Sequence, residues 1–337
     1  MEAPELQGIS YMRENAADVD FAVSIFAAAV SSYKYESLLK PFPPMYCLIN
    51  GEKDICNLRS DIAALPSITA ILNGSCSLST PQMKLIEWVI KSHKTKIRSA
   101  PLDQMSDLRK LTGEQISLPD PEYLYELEYD ESKEAAFQET RAARNLIYAY
   151  HGSKAENFYS ILHHGLHAHV NKTSLYGEGT YLALEPTVAM GYSKPSSTGW
   201  PESTLGKSFS IIALCEVIEH PSVIHKSSRE GSRSTGRRAP NSYGGDVPDK
   251  YLIVTNNDMV RLKYLLVYSG QRSTGIRCRK EPSQCLLWIQ RHSQALLLLF
   301  YASILFCIAL VGSSKFWARL QQLYVQTFDN HGWADPL

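Results

Sequence analysis

The sequence predicts an α+β protein with an apolar segment near its C-terminus. The first 98 residues show the apolar spacing of amphipathic helices, whereas the region from about residue 120 to 268 contains short runs rich in β-branched and aromatic side chains. Little helix separates these runs, which favours an α+β architecture over a doubly wound parallel sheet. Residues 295–311 form a run of 17 residues without a charge, glycine or proline.

The helical prediction for the first part rests on apolar residues three or four positions apart. Ile55, Leu58 and Ile62 have this spacing and would share one face of a helix. The segment 81–93 begins with a proline, which suits the first turn of a helix. The proline-rich stretch 40–46 predicts a break between helices. No group of residues in this part suggests a chemical reaction.

Five β-rich runs follow, each bounded by turn residues. They lie at 123–130, 145–150, 209–218, 251–254 and 260–268. One short helix is predicted among them, because Phe158, Ile161 and Leu162 share a face and Gly165 can end the helix. The stretch 226–245 is rich in serine, glycine and arginine, so it is predicted to be a mobile loop.

Composition excludes several classes of function. The 337 residues carry 34 basic and 34 acidic side chains, and this zero net charge gives no reason to expect a nucleic-acid partner. Seven cysteines, an odd number without a C-x-x-C pair, predict reduced thiols and no zinc site or disulfide framework. Four histidines, His163, His164, His167 and His169, lack nearby cysteine or acidic partners, so no metal is predicted.

The run at 295–311 predicts a membrane anchor. As a helix it would extend about 25 Å, which suits a thin bilayer such as that of the endoplasmic reticulum. The basic residues that precede it are Arg272, Arg277, Arg279, Lys280 and Arg291. Only Lys315 and Arg319 follow closely, so the large N-terminal part is expected on the cytosolic side. The alternative, a buried core helix, usually carries polar positions on one face.

The stretch "YAYHGS" at 148–153 ends an apolar, aromatic run on a histidine followed by two small residues. Taken alone, His151 would be a satisfied histidine in front of a turn. Three further features follow it: "NKTSLYGEGTYLA" at 171–183, then Tyr192, then "KYLIVTNNDMVRLKYLLVYS" at 250–269. Each is weak by itself, and their order and spacing together are far more specific.

In that order and spacing the chain resembles the catalytic domain of the poly(ADP-ribose) polymerase family, the diphtheria-toxin-like ADP-ribosyltransferases. Over residues 10–312 it is similar to a tail-anchored member that transfers single ADP-ribose units. The resemblance implies a split antiparallel β-sheet transferase domain at 99–272 after a small all-α domain at 1–98. A basic linker at 273–294, a transmembrane helix at 295–311 and a short luminal tail at 312–337 would follow. NAD⁺ would be the substrate, without a metal.

The resemblance also implies a role for each residue of the site. His151 would hydrogen-bond a hydroxyl of the nicotinamide ribose, and the backbone of Gly152 would pair with the carboxamide, where a side chain would impede the approach. Tyr181 matches the second position of the catalytic triad, and Tyr192 matches the ring that stacks on the cationic nicotinamide. Tyr251 falls at the third position of the triad.

Two departures from the family pattern bear on the reaction. Chain-elongating members carry a glutamate at the third position, where this chain has Tyr251, or Lys250 if the match shifts by one residue. Ala189 stands where polymerising members have a serine bonded to the carboxamide. Without the carboxylate the nicotinamide–ribose bond can still break, but activating a ribose hydroxyl for chain extension is harder. This predicts a mono-ADP-ribosyltransferase that modifies protein side chains, including its own.

The same reasoning predicts location and leaves alternatives. The catalytic part is expected at the cytosolic face of the endoplasmic reticulum and the contiguous nuclear envelope, with membrane proteins as substrates. The helical domain would pack beside the NAD⁺ entrance or regulate it. One alternative is a catalytically inactive, tail-anchored scaffold that binds NAD⁺ or ADP-ribose, and another is a purely structural tail-anchored protein.

Overall fold

The computed structural model describes residues 4–113, 119–166, 176–220, 223–224, 242–244, 246–269, 317–319 and 321–322. The chain divides into two compact units, Met1–Ser273 and Thr274–Leu337. All elements below belong to the first unit. In the second unit the described residues, 317–319 and 321–322, are helical.

The N-terminal part is a helical module. Its α-helices are α1 (Pro4–Glu14), α2 (Ala16–Ser31), α3 (Tyr35–Leu38), α4 (Ile55–Ala63), α5 (Ile68–Leu72) and α6 (Thr80–Ser92). Local signals explain several boundaries. Asp54 caps α4 by accepting a hydrogen bond from the backbone of Asn57, and Ser79 and Gln82 form a capping box at the start of α6. The predicted break is present, since a single 3₁₀ turn at Pro44–Tyr46 separates α3 from α4.

Helix α2 is the centre of this module. Thirteen of its 16 residues are buried, from Asp18 to Val30. A helix that is apolar on nearly every side must be surrounded by other elements, and α2 packs against α4, α6 and the sheet. The ring of Phe21 stacks on Tyr125 of the sheet with centroids 4.2 Å apart. The helical module and the sheet therefore share one hydrophobic core.

In the described part of the chain after the helical module, the elements form a nine-stranded antiparallel sheet with four α-helices. The strands are β1 (Lys96–Ala100), β2 (Tyr123–Glu128), β3 (Leu146–Ser153), β4 (Thr180–Ala183), β5 (Ser196–Ser197), β6 (Ser208–Ile218), β7 (Val223–Ile224), β8 (Tyr251–Val254) and β9 (Val260–Ser269). Their order is β1-β2-β9-β6-β3-β4-β8-β7, with β5 paired to β6. The helices are α7 (Met105–Thr112), α8 (Glu131–Arg141), α9 (Phe158–His164) and α10 (Pro186–Tyr192).

The prediction of an α+β protein with a helical front and an antiparallel sheet is confirmed. All five predicted runs are strands, and α9 ends at Gly165, whose φ of 81° places it in the left-handed region. The sheet begins at Lys96, so the last residues of the segment predicted to be helical belong to β1.

The sheet splits beside β3. On one side β3 pairs with β6 along its whole length, from Leu146 to Ser153. On the other side its ladder with β4 consists of one pair, Tyr150 with Ala183. Beyond Tyr150, β3 therefore has a neighbouring strand on one side only among the described residues, and the "HGS" motif lies at this opening.

Several predictions fall outside the described residues. These are the apolar run at 295–311, most of the loop at 226–245, and both His167 and His169. Among the helices that the structure does describe, none has the length and apolar character needed to cross a membrane. The described cysteines, Cys47, Cys56, Cys76 and Cys215, are free thiols.

A half-buried histidine pair lies between the helical module and α9. His93 directly follows α6, and the centroid of its ring lies 4.4 Å from that of His163 on α9. Both ring nitrogens of His93 are buried without a hydrogen-bond partner in the described part of the chain. Burial first, and then the charge of His163, lower the pKa of His93 from 6.5 to about 3.

This pair predicts that the protein loses stability in acid. Because the unfolded chain binds a proton at His93 near pH 6.5 and the folded chain does not until about pH 3, stability is complete above pH 6.5 and falls below it. At pH 5 the loss from this group is about 2 kcal/mol. Urea unfolding at pH 7.5 and 5 should show a smaller difference for His93→Phe than for the wild type. An equal difference in the two proteins would contradict the assignment.

Candidate active site

The pairing of three strands brings the predicted site residues together. Tyr150 on β3 pairs with Ala183 on β4, and Ala183 pairs with Tyr251 on β8. His151 follows Tyr150, and Tyr181 lies two positions before Ala183. The site is therefore built from residues that are up to 100 positions apart in the chain but lie around one opening of the sheet.

His151 is held in one orientation. Its Nδ1 lies 3.2 Å from the carbonyl oxygen of Tyr181. Because a carbonyl oxygen only accepts, Nδ1 carries the proton and Nε2 is left as an acceptor. Burial lowers the pKa of His151, and the bond to Tyr181 only partly opposes this, so the ring is neutral near pH 7. A neutral ring with a free acceptor nitrogen can bind a hydroxyl of a sugar.

Gly152 is required by the packing of α10. A Cβ at this position would lie 1.9 Å from the carbonyl oxygen of Ala189 and 2.9 Å from Oγ of Ser193. Both atoms belong to α10 or the residue after it. The sequence analysis explains the need for glycine here by the close approach of a ligand. The structure adds a separate reason, because no side chain fits between β3 and α10.

The hydroxyl of Tyr181 fixes the turn that precedes its own strand. It donates to the carbonyl oxygen of Gly177 over 2.7 Å and accepts from the backbone nitrogen of Tyr176 over 3.1 Å. The same turn requires a glycine at position 179, because its φ is 151° and a Cβ there would lie 2.4 Å from Cγ2 of Ile253. The ring of Tyr181 is half-buried and packs in a small cluster with Val247 and Ile253.

Tyr181→Phe should weaken NAD⁺ binding more than it slows turnover. The ring remains, but the turn at Tyr176 and Gly177 loses both bonds to the hydroxyl, and each is worth about 1 kcal/mol. We expect the KM for NAD⁺ to rise roughly tenfold. Steady-state kinetics, with Tyr33→Phe at an exposed position as the control, measure this. A KM equal to that of the control would contradict the role of the hydroxyl.

Tyr192 and Tyr251 complete the aromatic surroundings. Tyr192 ends α10 with 60% of its side chain exposed, and Tyr251 is half-buried at the start of β8. A side-chain hydrogen bond with Tyr192, followed by burial, raises the pKa of Tyr251 above its usual value. The ring of Tyr176 lies 6.1 Å from that of Tyr251. Tyr251 is therefore a neutral phenol and cannot act as a carboxylate base would.

Two charged residues that are near the site residues in sequence, Lys250 and Glu216, make contacts of their own. Lys250, the alternative to Tyr251 at the third triad position, is exposed, and its Nζ lies 5.7 Å from the centroid of the Tyr251 ring. Glu216 is buried and bonds Nε of Arg261 over 2.7 Å. This carboxylate is engaged in the ion pair.

Ser193 belongs to the surroundings of Gly152 and is not predicted by the sequence. Its side chain is buried, and its Oγ donates to the carbonyl oxygen of Ala189 over 3.2 Å. A serine after a short helix has no pattern that would single it out. Its position against β3 follows only from how α10 packs.

The described residues contain no group of three or more side chains suited to hold a metal ion. Two of the four clustered histidines bind backbone carbonyls. Nδ1 of His163 lies 2.8 Å from the carbonyl oxygen of Tyr159, and Nε2 of His164 lies 2.7 Å from that of Lys40. These contacts give both histidines a structural role.

Comparison with known proteins identifies the family. Residues 121–270 match the family model of the poly(ADP-ribose) polymerase catalytic domain, and residues 10–90 match that of the ARTD15 N-terminal domain. The chain belongs to the poly(ADP-ribose) polymerase family and is an ADP-ribosyltransferase with NAD⁺ as its substrate.

Full-length relatives extend the comparison. The chain is 40% identical over 311 residues to human protein mono-ADP-ribosyltransferase PARP16. The matched region covers 90% of this chain and 94% of that protein. The mouse PARP16 protein is 39% identical over 310 residues, with the same coverage. Mouse protein mono-ADP-ribosyltransferase PARP8 is 26% identical over 259 residues, 62% of this chain and 29% of that protein.

Proposed function

We propose that the protein transfers single ADP-ribose units from NAD⁺ to protein side chains, including its own, and releases nicotinamide. The observation that carries this proposal is that Tyr251, which we assign to the third triad position, is a neutral phenol on β8, the strand that pairs with the strand of Tyr181. The names of the two PARP16 relatives, both mono-ADP-ribosyltransferases, support it.

Binding would use the backbone and rings already described. The edge of β3 at Gly152 would pair with the carboxamide of nicotinamide, and Tyr181 and Tyr192 would enclose the cationic ring. Each such ring contact contributes about 0.5–2 kcal/mol. Nε2 of His151 would accept from a hydroxyl of the nicotinamide ribose, which fixes the sugar relative to the ring.

The reaction needs few groups from the protein. The bond between C1′ and the nicotinamide nitrogen breaks, and its electron pair neutralises the pyridinium, so the leaving group needs no proton. The sugar passes through an oxocarbenium-like state, as in glycoside hydrolysis. A side chain of the protein substrate then bonds C1′ and loses its proton to water. Because the phenol of Tyr251 is not a base, a ribose hydroxyl is not activated for a second transfer.

Labelled NAD⁺ tests this function. The full chain, purified in detergent, should become labelled when it is incubated with NAD⁺ that carries the label in its adenosine. The His151→Ala variant is the background. An inactive scaffold would bind NAD⁺ and leave both proteins without label, which would refute the transferase proposal.

We also propose that residues 295–311 anchor the chain in the membrane of the endoplasmic reticulum and nuclear envelope, with the catalytic part in the cytosol. The length of the apolar run and the excess of basic residues before it support this. Membrane proteins would then be the accessible substrates.

A glycosylation acceptor added after Leu337 tests the orientation. In microsomes the added site should receive a glycan, whereas the natural sequons at Asn73 and Asn171 should not. A glycan at Asn73, or none on the added site of a chain that resists alkaline extraction, would contradict the proposed topology.

A further inference from the structure

Helix α2 contacts two segments that lie close in sequence to residues of the site. The first is the 3₁₀ turn Ala155–Asn157, which directly follows β3. At the end of α2, Oγ of Ser32 donates to Oε1 of Glu156 over 3.0 Å. The strand that carries His151 and Gly152 is thus held by α2 within a few residues of the site.

The second segment is the loop 198–206, which links β5 to β6 and comes soon after Tyr192. Gly199 in this loop lies against α2, because a Cβ there would be 1.9 Å from Oγ of Ser31 and 3.0 Å from the carbonyl oxygen of Ala27. Its φ of 65° also favours glycine. No larger residue fits between the loop and the helix.

A buried carboxylate on α2 binds this loop. Asp20 accepts a hydrogen bond from Oγ of Ser203 over 3.1 Å, and from the backbone nitrogen of Thr204 to each of its oxygens over 3.2 Å. Oγ of Ser24 lies 2.7 Å from Oγ of Ser203. Asp20 is 1% exposed, so these bonds form in a dry environment, where breaking one leaves a polar group without a partner.

A third contact fixes the same loop from another part of the helical module. Nε1 of Trp200 donates to the carbonyl oxygen of Leu65 over 2.9 Å, and the side chain of Trp200 is completely buried. The loop is therefore held by α2 on one side and by the chain after α4 on the other.

The connection to the site is short. Between Tyr192 and the loop lie a few residues and β5, whose pairing with β6 fixes its register at Ser196–Phe209. In the middle of α10, the carbonyl oxygen of Ala189 packs against Gly152. The position of Tyr192 relative to Gly152 thus depends on both β3 and the loop, and α2 contacts the loop and the turn that follows β3.

We propose that Asp20 is a positioning residue for the NAD⁺ site: by holding loop 198–206 against α2, it sets where Tyr192 stands relative to Gly152. The helical module would then help to fix the geometry of the binding site. The inference rests on the proposed role of Tyr192 in stacking on nicotinamide, and it assigns a task to a module that contributes no residue to the reaction.

The test is Asp20→Asn, which keeps the size of the side chain but replaces one acceptor oxygen with a donor group. The amide oxygen can still accept from Ser203 and Thr204 in the place of Oδ1, but the NH₂ group that replaces Oδ2 then faces the backbone N–H of Thr204, donor against donor. We expect the KM for NAD⁺ and the inhibition constant of nicotinamide to rise in parallel, roughly three- to tenfold, with kcat within about twofold of wild type. Ser203→Ala, which removes one donor and creates no new one, should show a smaller shift in the same direction.

The control is Ile86→Ala on α6, which opens a space in the core of the helical module. It should lower the melting temperature and leave both constants unchanged, when all variants are assayed well below their melting temperatures. If Ser203→Ala or a folded Asp20→Asn kept wild-type constants, or if Ile86→Ala shifted them equally, the positioning role would be refuted. A wild type that labels no protein would instead refute the proposed function.

Discussion

Replacing Gly152 by alanine should abolish NAD⁺ turnover and destabilise the protein. The added methyl group would lie 1.9 Å from the carbonyl oxygen of Ala189, so β3 and α10 must separate. Such overpacking costs about 1–3 kcal/mol of folding free energy. Because α10 ends at Tyr192, its displacement also moves the ring that is proposed to stack on nicotinamide. We expect a loss of more than 100-fold in kcat/KM, measured with the full chain, since misplaced groups carry penalties of that order.

The matched control is Gly191, which lies on α10, the helix that packs against Gly152. A Cβ at Gly191 would meet nothing within 4 Å, so Gly191→Ala should be tolerated, and its higher helix propensity should stabilise α10 by up to about 1 kcal/mol. Thermal unfolding and turnover of the two variants separate the effect of the collision from that of any added methyl group. A Gly152→Ala protein that matched Gly191→Ala in both measurements would contradict the packing of α10 on β3.

Replacing His151 by alanine should remove activity while the fold persists. The strand around His151 is held by backbone pairing with Ala213 on β6, which the substitution leaves intact. The variant loses the ring whose acceptor nitrogen is oriented by the carbonyl of Tyr181. We expect transferase activity to fall by more than about 100-fold, the typical value for one oriented polar group in a reaction.

His164→Ala is the control for this substitution. His164 is exposed and bonds the carbonyl oxygen of Lys40, and no step of the proposed reaction uses it, so the variant should turn over NAD⁺ at close to the wild-type rate. A His151→Ala protein with an unchanged melting temperature and wild-type activity would show that His151 plays no part in the reaction.

The sequence predicts the secondary structure well where the signal is local. The run at 251–254 coincides with β8, and Gly165 ends α9 as its position after the apolar face predicts. Apolar spacing and glycine conformation act over a few residues, so they can be read without the fold. The class of the protein could also be predicted, because the motifs around His151, Tyr181 and Tyr192 occur in a characteristic order.

What the sequence does not reveal depends on contacts between distant segments. Asp20 and Thr204 are 184 positions apart, and neither carries a pattern that predicts their hydrogen bonds. The collision that requires glycine at position 152 depends on how closely α10 approaches β3. Ser193 has its place for the same reason. Such features follow from packing, which a single sequence does not encode in any short motif.

The central claim is that the enzyme adds one ADP-ribose unit at each acceptor because Tyr251 cannot activate a second. The most direct measurement is to label the purified full chain with NAD⁺ carrying the label in its adenosine, remove free nucleotide, and digest the protein with a phosphodiesterase that cleaves the pyrophosphate bond. A single unit releases its label as AMP, whereas units inside a chain release AMP that carries an additional phosphoribosyl group. We predict that the label appears as AMP alone. Labelled phosphoribosyl-AMP as a substantial product of the wild type would contradict the account.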